Sequence, residues 1–210
     1  MRNTKPPRLS LASHVGSSAA VVLDRVIAIA PPPLLPGEKE AAYTSIACRI
    51  AGASGPRDAI EEILIRDVID LTWEVLRLRR IKAGILKASM GEGVRQVLSD
   101  VGISFHENRP IGEKWAAGDE SARQKVDAVL ARAGLALDEV TAKTLEIKID
   151  VFERLDRMLA SAEARRNNAL REIDRHREAA GASTRLAIDE VEDAEFRDVD
   201  TGQLTGEPTP

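Results

Sequence analysis

A charged side chain on the apolar side of a long helix must be paired, hydrated or bound to something, because leaving it alone in a dry core is costly. Two stretches of this chain present that situation. Asp67 and Glu74 lie one heptad apart, in an arc bounded by Ile63 and Ile81 on one side and Leu71 and Leu78 on the other, with Asp70 beside them. Arg166 falls between Ala162 and Ala169, inside a second apolar stripe. The spacing points to an interhelical ion-pair network of Asp67, Asp70, Glu74 and Arg166 that fixes the register of two helices.

Other reactive residue types lack the spacing that catalysis needs. Bundle di-metal sites use glutamates with Glu-x-x-His pairs, whereas Glu172 and His176 are four apart and His14 and His106 fall in expected loops. Gly91-Glu92-Gly93 has neither a preceding strand nor a following Gly-Lys-Ser, so no phosphate loop is indicated. Cys48 is the single cysteine, which excludes an internal disulfide framework and fits a reducing, cytoplasmic setting. We therefore expect no catalytic residue, no cofactor and no metal. Arg77, Arg79, Arg80 and Lys82 crowd one of these stretches and Arg165, Arg166, Arg171, Arg175 and Arg177 the other, and Arg157, Arg171 and Arg175 point away from the apolar side, where they could contact phosphates of a nucleic acid. Glu153, Glu172 and Asp174 are interleaved with them and aromatics are only 3% of the chain, which favours a solvated, salt-bridged face.

The elements that must position these residues are helical. With few rings, the core has to be built from Leu, Ile, Val and Ala, and these recur at three- and four-residue spacings rather than in alternation. The pattern predicts an all-α protein with a long antiparallel helix pair, about residues 56–90 and 138–180. Pro56 suits a first helical position, and Gly91 and Gly93 read as its stop. One face carries Ile60, Leu64, Val68, Leu71, Val75 and Leu78, and a second cluster carries Ile65, Ile69 and Leu76. The second helix has a stripe of Val151, Leu155, Met158, Leu159, Ala162, Ala169 and Ile173, with Phe152 and Leu170 at its edge, and Gly181 reads as its stop.

Shorter helices should pack on this pair. Glu38 to Ala51 carries Tyr43, Ile46 and Ile50 on one side, and Asp119 should cap a helix through Ala133 that ends at Gly134. Gly102, Pro110, Gly112 and Gly118 mark loops. The helix-turn-helix arrangement around Gly134 is disfavoured by the bulk of Leu130. Residues 1–37, dense in proline, read as a disordered or extended N-terminal arm with one short element in Ala19 to Ile29. Residues 38–180 form the helical domain. Residues 181–210, with two Lys and Arg against eight Asp and Glu, read as an acidic, largely disordered tail. No run of 18 apolar residues exists, so no membrane helix is expected.

Several segments taken together carry a resemblance: Leu35-Pro36-Gly37-Glu38, Arg66-Asp67-Val68-Ile69-Asp70-Leu71-Thr72-Trp73-Glu74, Arg77-Leu78-Arg79-Arg80, Glu163-Ala164-Arg165-Arg166-Asn167, and Ala169 to Arg177. Over about residues 35–196 the chain resembles a group of uncharacterised bacterial helical proteins with no assigned activity. The resemblance implies the helical layout and says nothing about chemistry. The expectation is thus a non-enzymatic cytoplasmic protein that acts by association, as a homo-oligomer or with another protein, because the first long helix is apolar on two sides. The alternative is an accessory nucleic-acid-binding protein.

Overall fold

The computed structural model describes residues 21–199, with side chains described from Val21 to Val191. All the regular structure in that span is α-helical. The elements are α1 (21–28), α2 (Glu40–Ser54), α3 (Ala59–Asp100), α4 (Phe105–Ala116), α5 (Glu120–Ala133), α6 (Leu137–Ile147) and α7 (Ile149–Val199). They divide into two compact units, one of residues up to Asp70 with those from Arg166 onward, the other of Leu71–Arg165. α3 and α7 contribute to both.

In the second unit α3 and α7 run antiparallel. Lys148 pairs with Glu92 at 2.8 Å, Lys82 with Asp156 at 2.6 Å and Arg79 with Glu163 at 2.7 Å, so one number rises as the other falls. Val75 and Leu78 pack on Ala162, Leu155 and Leu159 between them. On α7 the buried and half-buried positions Phe152, Leu155, Leu159, Ala162, Arg166, Ala169 and Ile173 alternate in steps of three and four, the period of a two-helix seam. Phe152, expected at the edge, is buried, while Val151 and Met158 of the expected stripe are 39% and 51% exposed. The other expected stripe residues, Leu155, Leu159, Ala162, Ala169 and Ile173, are buried or half-buried, and only the N-terminal end of the stripe is displaced, where a wheel drawn at 3.6 residues has drifted from the 3.5-residue seam.

The expected stop at Gly91 and Gly93 does not occur, and α3 continues to Asp100. Both glycines are sites of close approach. A Cβ on Gly91 would lie 2.9 Å from the Gly112 carbonyl oxygen of α4, and one on Gly93 would lie 2.6 Å from the Val140 carbonyl oxygen of α6. Backbone meets backbone at both crossings. Around them Val94, Val97, Leu98, Val126, Leu130 and Val140 form a core flanked by Met90, Trp115 and Leu135. Pro110 and Gly112, expected in a loop, both lie inside α4. Asp119 caps α5 as expected, accepting a hydrogen bond from the Ala122 N–H at 2.8 Å, and Gly134 ends that helix at φ 70°.

Three further boundaries differ. Pro56 precedes the first turn of α3, which is capped instead by Asp58, accepting from the Glu61 N–H at 2.9 Å. The expected helix 138–180 is broken at Lys148 into α6 and α7. Gly181 does not end α7, which stays helical over 181–199 where a tail without regular structure was expected. Residues 200–210 of that tail, and residues 1–20 of the arm, lie outside the described residues.

The glycine contacts generate the first prediction. Gly93→Ala should destabilise the chain by about 1–3 kcal/mol, since the methyl group must displace α6. Gly84→Ala, in the same helix but with open space around the new methyl group, should add about 0.5–1 kcal/mol instead. Urea unfolding of the two variants checks the difference in sign.

Candidate functional site

Two arginines in the first unit each tie the end of a short helix to a carboxylate of α3. The last carbonyls of a helix lack intrahelical partners and carry partial negative charge, so a guanidinium placed there gains both hydrogen bonds and favourable electrostatics. Arg66, only 3% exposed, donates through Nη1 to the Ala30 carbonyl at 2.8 Å, with longer contacts to those of Val26 and Ile27, and through Nη2 to Pro31 at 3.0 Å. Its Nε donates to Asp70, one turn along α3, at 3.0 Å. The Tyr43 hydroxyl of α2 donates to the same carboxylate at 2.5 Å. Burial, followed by this bond to Asp70, pushes the Tyr43 phenol well above its usual pKa. Arg25 adds an ion pair to Glu62. Residues 21–31 are thereby fixed on α3 rather than forming part of a free arm.

The second device is centred on Glu61, 1% exposed. Arg177 of α7 donates to it twice, from Nε to Oε1 at 3.1 Å and from Nη2 to Oε2 at 2.9 Å, the two-pronged geometry that suits a planar guanidinium. The same Nη2 donates to the carbonyl of Ser54, the last residue of α2, at 2.8 Å. The Arg57 backbone N–H donates to Glu61 Oε2 at 3.0 Å. One carboxylate thus joins α2, α3 and α7. Arg177 holds its pKa below the usual carboxylate value, its hydrogen bonds outweighing the opposing effect of burial. Beside it the imidazole of His176 lies 2.7 Å from Asp58, whose pKa is likewise lowered, chiefly by that bond.

The expected network is distributed differently. Asp70 is held by Arg66 and Tyr43, and Glu74 by Arg77 at 2.5 Å on its own helix. Asp67 is exposed. Arg166 is half-buried within the seam and carries no ion pair among the described residues. Of the three carboxylates expected in the network, Asp70 and Glu74 each meet an arginine one helical turn away on α3, at little cost in side-chain ordering, and Asp67 faces solvent. Glu61 and Arg177, the buried pair that joins α3 to α7, were not in the expected network. Periodicity could have found them: Glu61 precedes Ile65 and Val68 by four and seven, and Arg177 follows Ile173 by four, so both lie on buried faces.

Arg157, Arg171 and Arg175 are exposed, and each has a neighbour on α7: Glu153 at 3.7 Å, Asn168, and Glu172 at 2.5 Å. In the second unit a hollow of about 460 Å³ has Val97, Val101, Ala133 and Leu135 on its walls and Lys143 at its rim. Lys143 lies between Glu146 at 3.1 Å and Asp100 at 3.3 Å, and bonds to both carboxylates raise its pKa. Among the described residues no three His, Cys, Asp or Glu side chains are grouped to hold a metal ion, and no helix is long and apolar enough to cross a membrane. In comparisons with known proteins, no family model, curated protein or solved structure matches the chain.

A pH experiment follows from the lowered pKa of Glu61. A depressed carboxylate stabilises the fold fully above its unfolded value, near 4.5, and loses that contribution as pH falls through its lower folded value. Glu61→Gln should therefore be less stable than the unmodified chain at neutral pH, and the gap should narrow as pH drops below 4.5. Urea midpoints measured down the pH scale check this; a gap that stays constant would contradict it.

Proposed function

We propose that this is a non-enzymatic, cytoplasmic helical protein that acts by association, through the part of α7 that follows Arg177, with a second copy of the same chain. The observation that carries the reading is a seam that outlasts its partner helix. On α7 the line of Ala169, Ile173 and Arg177 continues in steps of three and four to Ala180, Thr184, Ile188 and Val191. α3 begins at Ala59, beside Glu61 and its partner Arg177, so the continuation has no α3 to face. Ile188 and Val191 are 51% and 59% exposed.

About 20 residues of helix extend past Arg177, roughly 30 Å at 1.5 Å per residue. Helices of that length are marginal in water without tertiary packing. A second copy suits the charges as well as the apolar line. Arg185 is followed by Asp189 and Glu190, so two such helices laid antiparallel set the arginine of each against the carboxylates of the other, as a two-fold contact requires.

Light scattering at micromolar concentration should return about twice the 22.8 kDa chain mass. Ile188→Asp with Val191→Asp should bring the mass down to that of one chain while circular dichroism retains most of its helical signal. A monomer mass for the unmodified protein, or a double variant that stays dimeric, would overturn the reading.

A further inference from the structure

The α3–α7 pair of the second unit has two unlike sides. One is a ladder of ion pairs, Arg79 with Glu163, Lys82 with Asp156 and Lys148 with Glu92. With successive residues turned by about 100°, the opposite side of the seam carries two lines in steps of three, four and seven. They are Arg77, Ile81 and Ala88 on α3, and Val151, Arg154, Met158 and Arg165 on α7. The register of the ladder sets Ile81 beside Met158 and Ala88 beside Val151. Nothing described in this unit covers them: Ile81 is 38% exposed, Val151 39% and Met158 51%, and Ala88 is exposed as well.

The charges on this side are of one sign. Arg154 and Arg165 are exposed, and neither meets a carboxylate among the described residues. Arg77 meets Glu74, the carboxylate one turn before it. Such a strip does not suit a second copy of itself, which would bring the like charges of both copies together. A nucleic acid would leave the apolar middle unmatched.

We infer that this side of the pair binds an acidic amphipathic α-helix of another protein, laid between the two lines as the third member of a bundle. The apolar stripe of the partner helix covers Ile81, Val151 and Met158. Carboxylates on its flank accept from Arg154 and Arg165, the geometry arginine satisfies best. Those two arginines stand roughly 16 Å apart along α7 at 1.5 Å per residue, so the matching carboxylates are about three turns apart on the partner.

The methionines make a direct test possible, because Met158 lies on the proposed face and Met90 packs against the core around Val94. Carbon–proton spectra of the methionine methyl groups are recorded on the full chain as a synthetic helix is added. The probe carries leucines in steps of three and four with glutamate elsewhere; its control has lysine in place of every glutamate. The glutamate helix should shift Met158 saturably, with a Kd below ~1 mM, and leave Met90 unmoved. The lysine helix should bind at least about tenfold more weakly. Arg154→Glu with Arg165→Glu, both at exposed positions, should reverse that preference. No saturable shift of Met158, an equal response to the two peptides, or an unchanged preference in the double variant would each overturn the inference. A Met158 signal that moves on dilution of the chain alone would assign the face to a second copy and overturn it as well. The two peptide titrations use only the unmodified chain and stand even if the variant fails to fold.

Discussion

The first unit depends on one buried carboxylate. Glu61 is almost fully removed from water, and a charge so placed is tolerated only if its hydrogen-bonding capacity is met. Arg177 meets it from α7, the Arg57 N–H meets it from the turn before α3, and Arg177 simultaneously holds the end of α2. Sliding α7 by one residue would carry the guanidinium about 100° around its helix and leave Glu61 unpaired. Apolar seams of Leu, Val and Ala tolerate such slips far better, because one methyl group packs much like another. The ion pair therefore specifies register where the apolar residues supply most of the favourable free energy.

Arg66 repeats the device at the other short helix. In both places a guanidinium meets the exposed carbonyls at a helix C-terminus and is itself anchored by a carboxylate of α3. α3 thus carries the negative partners and the short helices supply backbone oxygen. Lysine could not substitute at either position, because its single ammonium cannot reach several carbonyls and a carboxylate in a fixed plane. The second unit is held differently, by close backbone crossings at Gly91 and Gly93 and by an apolar core between α3, α4, α5 and α6.

Local signals in the sequence were read correctly where their cause was local. The Asp119 cap and the Gly134 stop depend only on residues within one turn, and both are present. Gly91, Gly93 and Gly112 were misread because a glycine required for close packing looks identical, in sequence, to one required for a turn. Gly181 was misread for a related reason: within a helix of 51 residues one glycine costs only about 1 kcal/mol, which the rest of the helix can absorb. The all-α class and the antiparallel pairing were legible, since they follow from periodicity. The site was legible only in principle. The rule that a charge on an apolar face needs a partner pointed to Arg166 and Asp67, yet the same rule applied to Arg177 and Glu61 identifies the pair that forms.

The central claim is that Glu61 and Arg177 are energetically coupled across α3 and α7. A double-mutant cycle measures this directly, using Glu61→Gln, Arg177→Gln and the double variant, with stability taken from urea unfolding at neutral pH. A two-pronged, charge-assisted pair should give a coupling of about 2–3 kcal/mol, short of a fully enclosed pair because 28% of the Arg177 side chain still meets water. Each single variant should then cost nearly as much as the double. A coupling within about 0.5 kcal/mol of zero, the additivity expected of independent sites, would contradict the account.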